Sequence, residues 1–321
     1  MSRAGENHPR RGSLAFRPKK RSKRIFSKIK CVKQCTETKI LEFAGYKAGM
    51  TYIKFIQNQK ETPNYGKKII TPVTIIETPD LFVCGFRIYL LNNNLGKYAF
   101  RDILTNKKQD NSGKIKEVEE KLKMNKIKEI KLIVQTQPKL TGFNKKKPEI
   151  FESFIGGKTI EDKLNYAKQI IGKNISIMDF ENEGNFIDVS GVTKGHGFTG
   201  SVKRWGVKLL AKKSQKIVRK AGTLGPWHPA KTQATVPQMG QYGYFNRMIY
   251  NLQIMKIIEK NQKDEVFDKI RNNAFKNYGL VKSNYIVVRG SVMGPPKRLI
   301  RLRHSIRNIN AQFDENINIL Q

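Results

Sequence analysis

The residues of this 321-residue chain that are best suited to chemistry are cations in a stretch without carboxylates. Residues 189–258, 70 positions in all, contain neither Asp nor Glu. The cations of this stretch include Lys194, Lys203, Arg204, Lys208, Lys212, Lys213, Lys216, Arg219 and Lys220. The glycines are Gly191, Gly195, Gly197, Gly200, Gly206, Gly222, Gly225, Gly240 and Gly243. Cations neutralise phosphates, and glycines permit positive φ and close backbone approach, so we predict an extended loop that lies against nucleic acid.

The overall charge supports the same class of partner. The formal net charge is +36, from 62 Lys and Arg against 26 Asp and Glu. Self-repulsion of this size destabilises a compact state unless phosphates neutralise it. No run of about 18 apolar residues is present, so we expect no membrane partner. At 38% hydrophobic residues the chain can still bury a core.

Two tryptophans and two histidines lie in the acid-free stretch. Trp227 stands between Gly225-Pro226 and His228-Pro229, and we predict that it forms a loop tip. For Trp205, stacking on a base and packing on a local core are equally open alternatives. No carboxylate or cysteine is close in sequence to His196 or His228, so we expect neither catalysis nor metal binding from them.

The cysteines are few and odd in number. Cys31, Cys35 and Cys84 argue against a disulfide framework and for a reducing compartment. Cys31 and Cys35 could be half of a zinc site, but no second pair completes it. We expect no cofactor and no metal. The basic N-terminus lacks the amphipathic pattern of a transit peptide, so a cytoplasmic chain is expected.

Several elements can be placed from local patterns. Ten cations and no acid between residues 10 and 30 predict an N-terminal arm that orders on RNA. Short apolar runs typical of a β-barrel predict strands over 39–43, 51–56, 70–77 and 82–90. An α/β insertion follows, with a helix over 114–124, a strand over 129–135 and a helix that is capped by Thr159 and ends before Gly172. At the end of the acid-free stretch we predict helical structure over 248–260, followed by a strand over 284–288 and a basic run over 297–307.

The residues argue against two other classes of function, a nucleic-acid-processing enzyme and a DNA-coating protein. Metal-dependent nucleases and transferases need clustered carboxylates beside the phosphate, and the most basic region has none. The sequence Gly156-Gly157-Lys158-Thr159 lacks the first glycine of a phosphate loop, because Glu152 occupies that position. A DNA-coating protein fits the composition, but glycine-rich loops with isolated tryptophans suit folded RNA better than a uniform duplex.

Specific motifs resemble a known family. They are DVSGVTKGHGFTG, VKRWGV, GTLGPWHPAK and MGQYGYFNR, preceded by HPRRGSLAFRPKKR, FAGYKAGMT, ITPVTIIETPDL, VQTQPKLTGFNKKKPEIFE and IEDKLNYAK, and followed by VVRGSVMGPPKRLIRLR. Their order along nearly the whole chain resembles the universal large-subunit ribosomal proteins of the L-three type, in the archaeal and eukaryotic branch. Gln215, where eukaryotic relatives have a histidine, and GTLGPW favour an archaeal source.

The resemblance implies a mixed β and α/β fold and a non-enzymatic role. The implied parts are a basic N-terminal arm (1–37), a six-stranded translation-protein β-barrel (38–91 and 184–321) and an inserted α/β domain (92–183). A central loop at about 201–245 would penetrate ribosomal RNA toward the peptidyl transferase centre, with Trp227 at its tip. The implied partners are large-subunit ribosomal RNA and neighbouring large-subunit proteins, with no small-molecule substrate.

We predict that the RNA-binding residues come from the arm and the acid-free stretch. They are Arg10, Arg11, Arg17, Lys19, Lys20, Arg21, Lys23, Arg24, Lys194, His196, Lys203, Arg204, Trp205, Lys208, Lys212, Lys213, Lys216, Arg219, Lys220, Trp227, His228, Lys231 and Arg247.

RNA affinity should depend steeply on salt. If about ten phosphates are neutralised, log K falls with log salt at a slope of about −9 for duplex RNA and about −7 for single strands. Filter binding of the full chain across a salt series measures the slope. A slope shallower than about −3 contradicts the prediction.

Overall fold

Strands make up most of the secondary structure. The computed structural model describes residues 9–33, 35–57, 62–92, 96–105, 113, 117–118, 120–121, 127–213, 217–262, 265–307 and 319–320. Two units can be distinguished. The core unit comprises Phe26–Gly191 and Met248–Gln321, and the loop unit comprises Met1–Ile25 and Val192–Arg247.

The described strands, in chain order, are β1 (Glu42–Ile56), β2 (Lys68–Glu77), β3 (Leu81–Asn92), β4 (Gly96–Leu104), β5 (Ile127–Gln135), β6 (Ile150–Phe154), β7 (Asn174–Ile175), β8 (Phe186–Val192), β9 (Gly195–Thr199), β10 (Gly240–Gly243), β11 (Asn246–Ile258), β12 (Tyr285–Arg289), β13 (Leu299–His304) and β14 (Ile319–Leu320). The helices with defined bounds are α1 (Ile160–Ile170), α2 (Ser201–Trp205) and α3 (Glu265–Asn272), with a 3₁₀ turn over Pro138–Leu140.

The first sheet of the core unit has the strand order β13-β8-β11-β12-β2-β1-β14. β13 also pairs antiparallel with β1, for example Glu42 with Arg303. The pairs of β1 with β2, β2 with β12 and β12 with β11 are antiparallel as well. Apolar side chains of these strands, such as Phe43, Ile75 and Ile286, are fully buried, and consecutive residues of β12 and β13 are buried on both faces.

The second sheet of the core unit has the order β4-β3-β5-β6, and β7 pairs with β3. Leu164 and Ala167 on α1 are buried in the apolar cluster that also contains side chains of both sheets, such as Phe43 and Phe86. The Thr159 hydroxyl accepts from the Asp162 N–H at 3.1 Å, and the Asp162 carboxylate accepts from the Thr159 N–H at 3.3 Å. This reciprocal capping box confirms the predicted start of the helix, and Gly172 at φ +79° follows its end.

Several local predictions are confirmed. The strands predicted over 70–77, 82–90, 129–135 and 284–288 correspond to β2, β3, β5 and β12. Within the helix predicted over 114–124, residues 117–118 and 120–121 are helical, and its other positions lie outside the described residues. The basic run over 297–307 contains β13.

The helix predicted over 248–260 is wrong, because this segment belongs to β11. Leu252, Met255 and their neighbours have good helix propensity, and this propensity led to the incorrect helix prediction. In the structure β11 lies between β8 and β12, and hydrogen bonding to strands on both sides overrides a weak local preference.

The two strands predicted over 39–43 and 51–56 are one strand, β1, with a register shift between Lys47 and Gly49. Because glycine weakens a strand, Gly45 and Gly49 favoured the prediction of two strands. A Cβ on Gly45 would lie 2.7 Å from the Glu77 carbonyl oxygen, and one on Gly49 would overlap the Phe275 ring. These glycines therefore allow close packing within a strand.

The last part of the arm that was predicted to order on RNA is incorporated in the core unit. Ile29 is 2% exposed, and the Phe26 ring lies 6.1 Å from the ring of Phe151. Ser190 donates to the Ser27 hydroxyl at 2.7 Å. The chain thus joins the core unit at Phe26, within the basic segment.

Buried ion pairs join strands of the first sheet. Arg303, 2% exposed, donates through Nη2 to Asp188 at 2.9 Å and through Nη1 to the Cys31 carbonyl at 2.6 Å. Arg301 donates to Glu42, and burial raises the pKa of Glu42 to about 7 although Arg301 opposes this shift. None of the described helices is long and apolar enough to cross a membrane.

The Arg303–Asp188 pair should contribute strongly to stability, because loss of one partner leaves a buried charge uncompensated. We expect Arg303→Met to lower the free energy of unfolding by about 3–5 kcal/mol, and Arg303→Met with Asp188→Leu to recover part of that loss. Urea unfolding followed by circular dichroism measures both. The exposed Arg21→Met is the control and should change stability by less than about 0.5 kcal/mol. Equal effects at Arg303 and Arg21 would contradict the assignment.

Candidate nucleic-acid interface

A short strand pair forms the base of the loop unit. β9 pairs antiparallel with β10, with Gln241 opposite Phe198 and a register shift before Gly243. Gly243 has φ +74°, and a Cβ there would overlap the Lys194 carbonyl oxygen, so this position requires glycine. The backbone of Tyr244 also donates to the Lys194 carbonyl, at 3.0 Å. These bonds bring the two ends of the segment Val192–Arg247 together.

Trp205 is the packing centre of the loop unit. It ends α2, is 5% exposed, and donates through Nε1 to the Gln238 carbonyl at 2.8 Å. Gly206 closes the helix at φ +69°. A Cβ on Gly12 would lie 2.5 Å from the indole, so the arm approaches the ring where it has no side chain. Of the two alternatives for Trp205, the structure therefore favours packing over base stacking.

The N-terminal arm is bonded to this centre. Arg11 donates to the Gly206 carbonyl at 3.1 Å, and the Ser22 backbone donates to the Tyr244 carbonyl at 2.9 Å. The Lys19 ammonium lies 3.8 Å from the centroid of the Trp205 ring, within cation–π range. The arm and the loop base, which are far apart in sequence, thus form one basic surface.

Arg204 holds the returning chain. Its guanidinium donates to the carbonyl of Gln238 at 2.7 Å and to that of Gln241 at 3.1 Å. Burial lowers the pKa of Lys19, and the nearby Arg204, Arg247 and Arg17 lower it further. Like charges this close favour an anion among them.

Beyond this base the chain is exposed. Between residues 206 and 239 the described positions form no helix or strand, and residues 222–235 are all exposed. Trp227 is 88% exposed. Leu209, Ile217 and Leu224 are also exposed. Exposed apolar side chains on a cationic segment are typical of a segment that a partner molecule covers.

The predicted site residues fall into three groups by burial. The exposed ones are Arg10, Arg11, Arg17, Lys20, Arg21, Lys23, Arg24, Lys194, His196, Lys203, Lys208, Lys212, Lys213, Arg219, Trp227, His228 and Lys231. Those partly buried are Lys19, Arg204, Lys220 and Arg247, and Trp205 alone among those described is buried. Lys216 lies outside the described residues.

A cleft of about 450 Å³ opens in the loop unit between the arm and the strand pair. Its walls include the cations Lys19, Lys194, Arg204 and Arg247, together with Gly12, Ser13, Phe16, Thr193, His196, Tyr242, Gly243 and Phe245. The aromatic members Phe16, Tyr242 and Phe245 were not among the residues predicted from the sequence. Their signal was the motif GQYGYFNR, which places aromatic residues among glycines and cations.

The chemistry of this surface is that of phosphate binding. No Asp or Glu occurs in residues 9–25 or 192–247. Among the residues that the structure describes, no three His, Cys, Asp or Glu side chains are grouped to hold a metal ion. The described side chains offer cations, hydrogen-bond donors and aromatic faces.

Comparison with known proteins decides the family. The sequence pattern of the family described as Ribosomal protein L3 matches residues 1–114 and 91–319. The chain belongs to the ribosomal protein L3 family. Members of this family are structural constituents of the ribosome and are not enzymes.

Archaeal relatives of the family cover almost the whole chain. The large ribosomal subunit protein uL3 of Methanocaldococcus jannaschii is 45% identical over 316 residues, covering 94% of this chain and 92% of the relative. The proteins of the same name from Picrophilus torridus and Archaeoglobus fulgidus are each 42% identical, covering 95% and 96% of this chain and 93% and 95% of their own lengths. The resemblance to the archaeal type is confirmed.

The two tryptophans provide a matched test of this geometry. Trp205→Ala should destabilise the loop unit by about 3–5 kcal/mol, because it removes a buried indole. Trp227→Ala should change stability by less than about 0.5 kcal/mol. Urea unfolding of the full chain, with amide hydrogen exchange over residues 193–206, measures both. If Trp227→Ala were the more destabilising of the two, the packing described here would be incorrect.

Proposed function

We propose that this chain is a structural constituent of the large ribosomal subunit that binds and organises large-subunit ribosomal RNA. Its family and the names of its archaeal relatives support this role. The observation that carries the proposal is the loop unit, whose described residues present cations and exposed apolar side chains without one carboxylate. RNA supplies both the phosphates and the bases that such a surface needs.

In this proposal both the arm and the loop contribute cations that bind RNA phosphates. Arg17, Lys20 and Arg21 on the arm, and Lys208, Lys212 and Lys213 on the loop, neutralise phosphates, since all six are exposed. Trp205 acts indirectly in this proposal. Its buried indole positions the arm and the loop, and it does not stack on a base.

The exposed loop, at about 201–245, reaches through RNA toward the peptidyl transferase centre, and Trp227 forms its tip. Three features support this assignment: the length of chain without regular structure, the 88% exposure of Trp227 and the cations that precede it. Peptide bond formation remains the chemistry of the RNA. The protein orders RNA around that centre and supports subunit assembly.

The domain scheme is a basic arm, a six-stranded translation-protein barrel and an inserted α/β domain. The pairing of β13 with both β8 and β1 supports closure of strands β1, β2, β8, β11, β12 and β13 into the barrel. The pairing of β3 with β4, β5 and β7 supports a start of the insertion before Leu81, earlier than the boundary after residue 91. The arm (1–37) would include a final part that packs from Phe26 onward.

Neighbouring large-subunit proteins are further partners in this proposal. The core unit exposes Met50, Tyr52 and Ile70 on β1 and β2. These side chains offer an apolar surface to a protein neighbour in the assembled particle.

Incorporation of variants into ribosomes tests the function. The full chain should co-sediment with large subunits after a high-salt wash. Trp227→Ala ribosomes should assemble and contain the protein, yet show impaired peptidyl transfer or tRNA binding, because the loop tip loses its packing on RNA. The exposed Tyr65→Ala on the core unit is the matched control for loss of an exposed aromatic ring.

Three outcomes would count against the proposal. A wild-type chain that washes off the subunit, or that prefers duplex DNA to large-subunit RNA at the same salt, would refute the ribosomal role. Normal activity of ribosomes that contain Trp227→Ala would refute the placement of the loop tip.

A further inference from the structure

We propose that the cleft of the loop unit binds a single unpaired nucleotide of RNA. Its base stacks on the ring pair of His196 and Tyr242, and its phosphate lies among the lining cations Lys19, Lys194, Arg204 and Arg247. The inference rests on the RNA-binding function proposed above and adds to it the form of RNA that the cleft recognises: an extruded nucleotide and not a paired one.

The size of the cleft suits one nucleotide. Its volume is about 450 Å³, within the range of about 300–1,000 Å³ that small ligands occupy. A base pair within a duplex cannot enter such a space, because its faces are covered by neighbouring pairs. An unpaired nucleotide can be turned out of the helix and stacked on aromatic side chains.

The aromatic side of the cleft is already stacked. The His196 and Tyr242 rings lie 5.4 Å apart between centroids and 22° from parallel, and Phe245 meets Tyr242 edge-on at 6.1 Å. His196 is exposed, so its ring can carry a base on its outer side. Stacking of one base on an aromatic side chain typically changes affinity by about 5-fold to 100-fold.

The cationic side is held in place before any ligand arrives. The Arg204 guanidinium is anchored by backbone carbonyls, and the Lys19 ammonium lies 3.4 Å from the carbonyl of Arg204. The Arg247 guanidinium lies 4.3 Å from the Phe16 ring centroid and 5.1 Å from that of Phe245. Burial and the neighbouring cations lower the pKa of Lys19, and a phosphate would relieve this repulsion. Side chains fixed in advance lose less entropy on binding.

The combination of groups selects a nucleotide over other anions. An acidic peptide would satisfy the cations but would present no planar ring to the His196–Tyr242 pair. A free mononucleotide shares the chemistry of an RNA nucleotide, so the experiment must separate these two sources. No carboxylate lines the cleft, which is consistent with a ligand that carries its own negative charge.

Three RNA hairpins of identical stem serve as probes for the full-length protein. The first carries one bulged 2-aminopurine nucleotide, the second carries an abasic bulge, and the third is fully paired. The abasic hairpin keeps the bulged phosphate and the flexibility of the stem but lacks the base. Affinity is measured by fluorescence anisotropy, and stacking is followed by quenching of 2-aminopurine. Adenosine monophosphate is titrated alone and as a competitor.

Two matched pairs of variants separate the cleft from general RNA affinity. His196→Ala removes the ring on which the base stacks, and His228→Ala removes an exposed histidine outside the cleft. Lys194→Gln removes an exposed cation of the cleft, and Lys203→Gln removes an exposed cation that does not line it. All four side chains are exposed, so the fold should persist, which circular dichroism checks.

The wild-type protein should prefer the 2-aminopurine bulge to the abasic bulge by at least about 5-fold and quench its fluorescence. His196→Ala should abolish that preference, and Lys194→Gln should weaken binding of both bulged hairpins more than of the paired one. His228→Ala and Lys203→Gln should lower affinity for all three hairpins by the same factor and keep the preference.

Equal affinity for the three hairpins, in a protein that still binds RNA, would overturn this inference and leave the proposed function intact. So would loss of the preference in His228→Ala to the same extent as in His196→Ala. Saturable binding of adenosine monophosphate that His196→Ala abolishes, but that fails to compete with the bulged hairpin, would assign the cleft to a free nucleotide, and this too would overturn it. Failure of the wild-type protein to bind any RNA would instead refute the proposed function.

Discussion

Separation of charge is the constraint on which the rest of this structure depends. The chain has 26 carboxylates for 62 Lys and Arg, and none of the carboxylates lies in residues 189–258. In the core unit, Glu42 and Asp188 are buried against arginines, and Glu152 bonds Arg87. These carboxylates are already paired within the core unit. The described residues of the loop unit contain no carboxylate, so their cations suit a polyanion such as the RNA proposed above.

The loop unit is ordered without a large apolar core. Trp205 takes the place of a core, since its ring packs against Gly12 and the Lys19 ammonium while its N–H satisfies the Gln238 carbonyl. Arg204 bonds the backbone of the returning chain. Cations of this unit thus have two roles. Some, such as Arg204 and Arg11, bond backbone carbonyls, and others, such as Lys208 and Lys212, are exposed to solvent.

The core unit combines two sheets with a dense set of buried polar contacts. Glu77 is fully buried and accepts from the backbone of Lys282 and of Ser283, each at 2.8 Å, and from the Tyr278 hydroxyl. Burial, followed by the charge of Glu77, raises the pKa of Tyr278, so the phenol remains protonated as a donor. Neutral donors stabilise this carboxylate, and such satisfied networks help to specify one arrangement of strands.

The sequence by itself determined the class of partner, the family and the elements with strong local signals. Three local signals could be recognised from the sequence because each depends only on neighbouring residues. They are the capping box at Thr159, the β-branched run in β2 and the stretch of cations without carboxylates. Only the tertiary structure decided that most of 248–260 is a strand, that β1 continues through Gly45 and Gly49, and that Trp205 is buried. Those outcomes depend on contacts between residues far apart in the chain, such as Gly12 with Trp205 or β11 with β12, and local propensity carries no information about them.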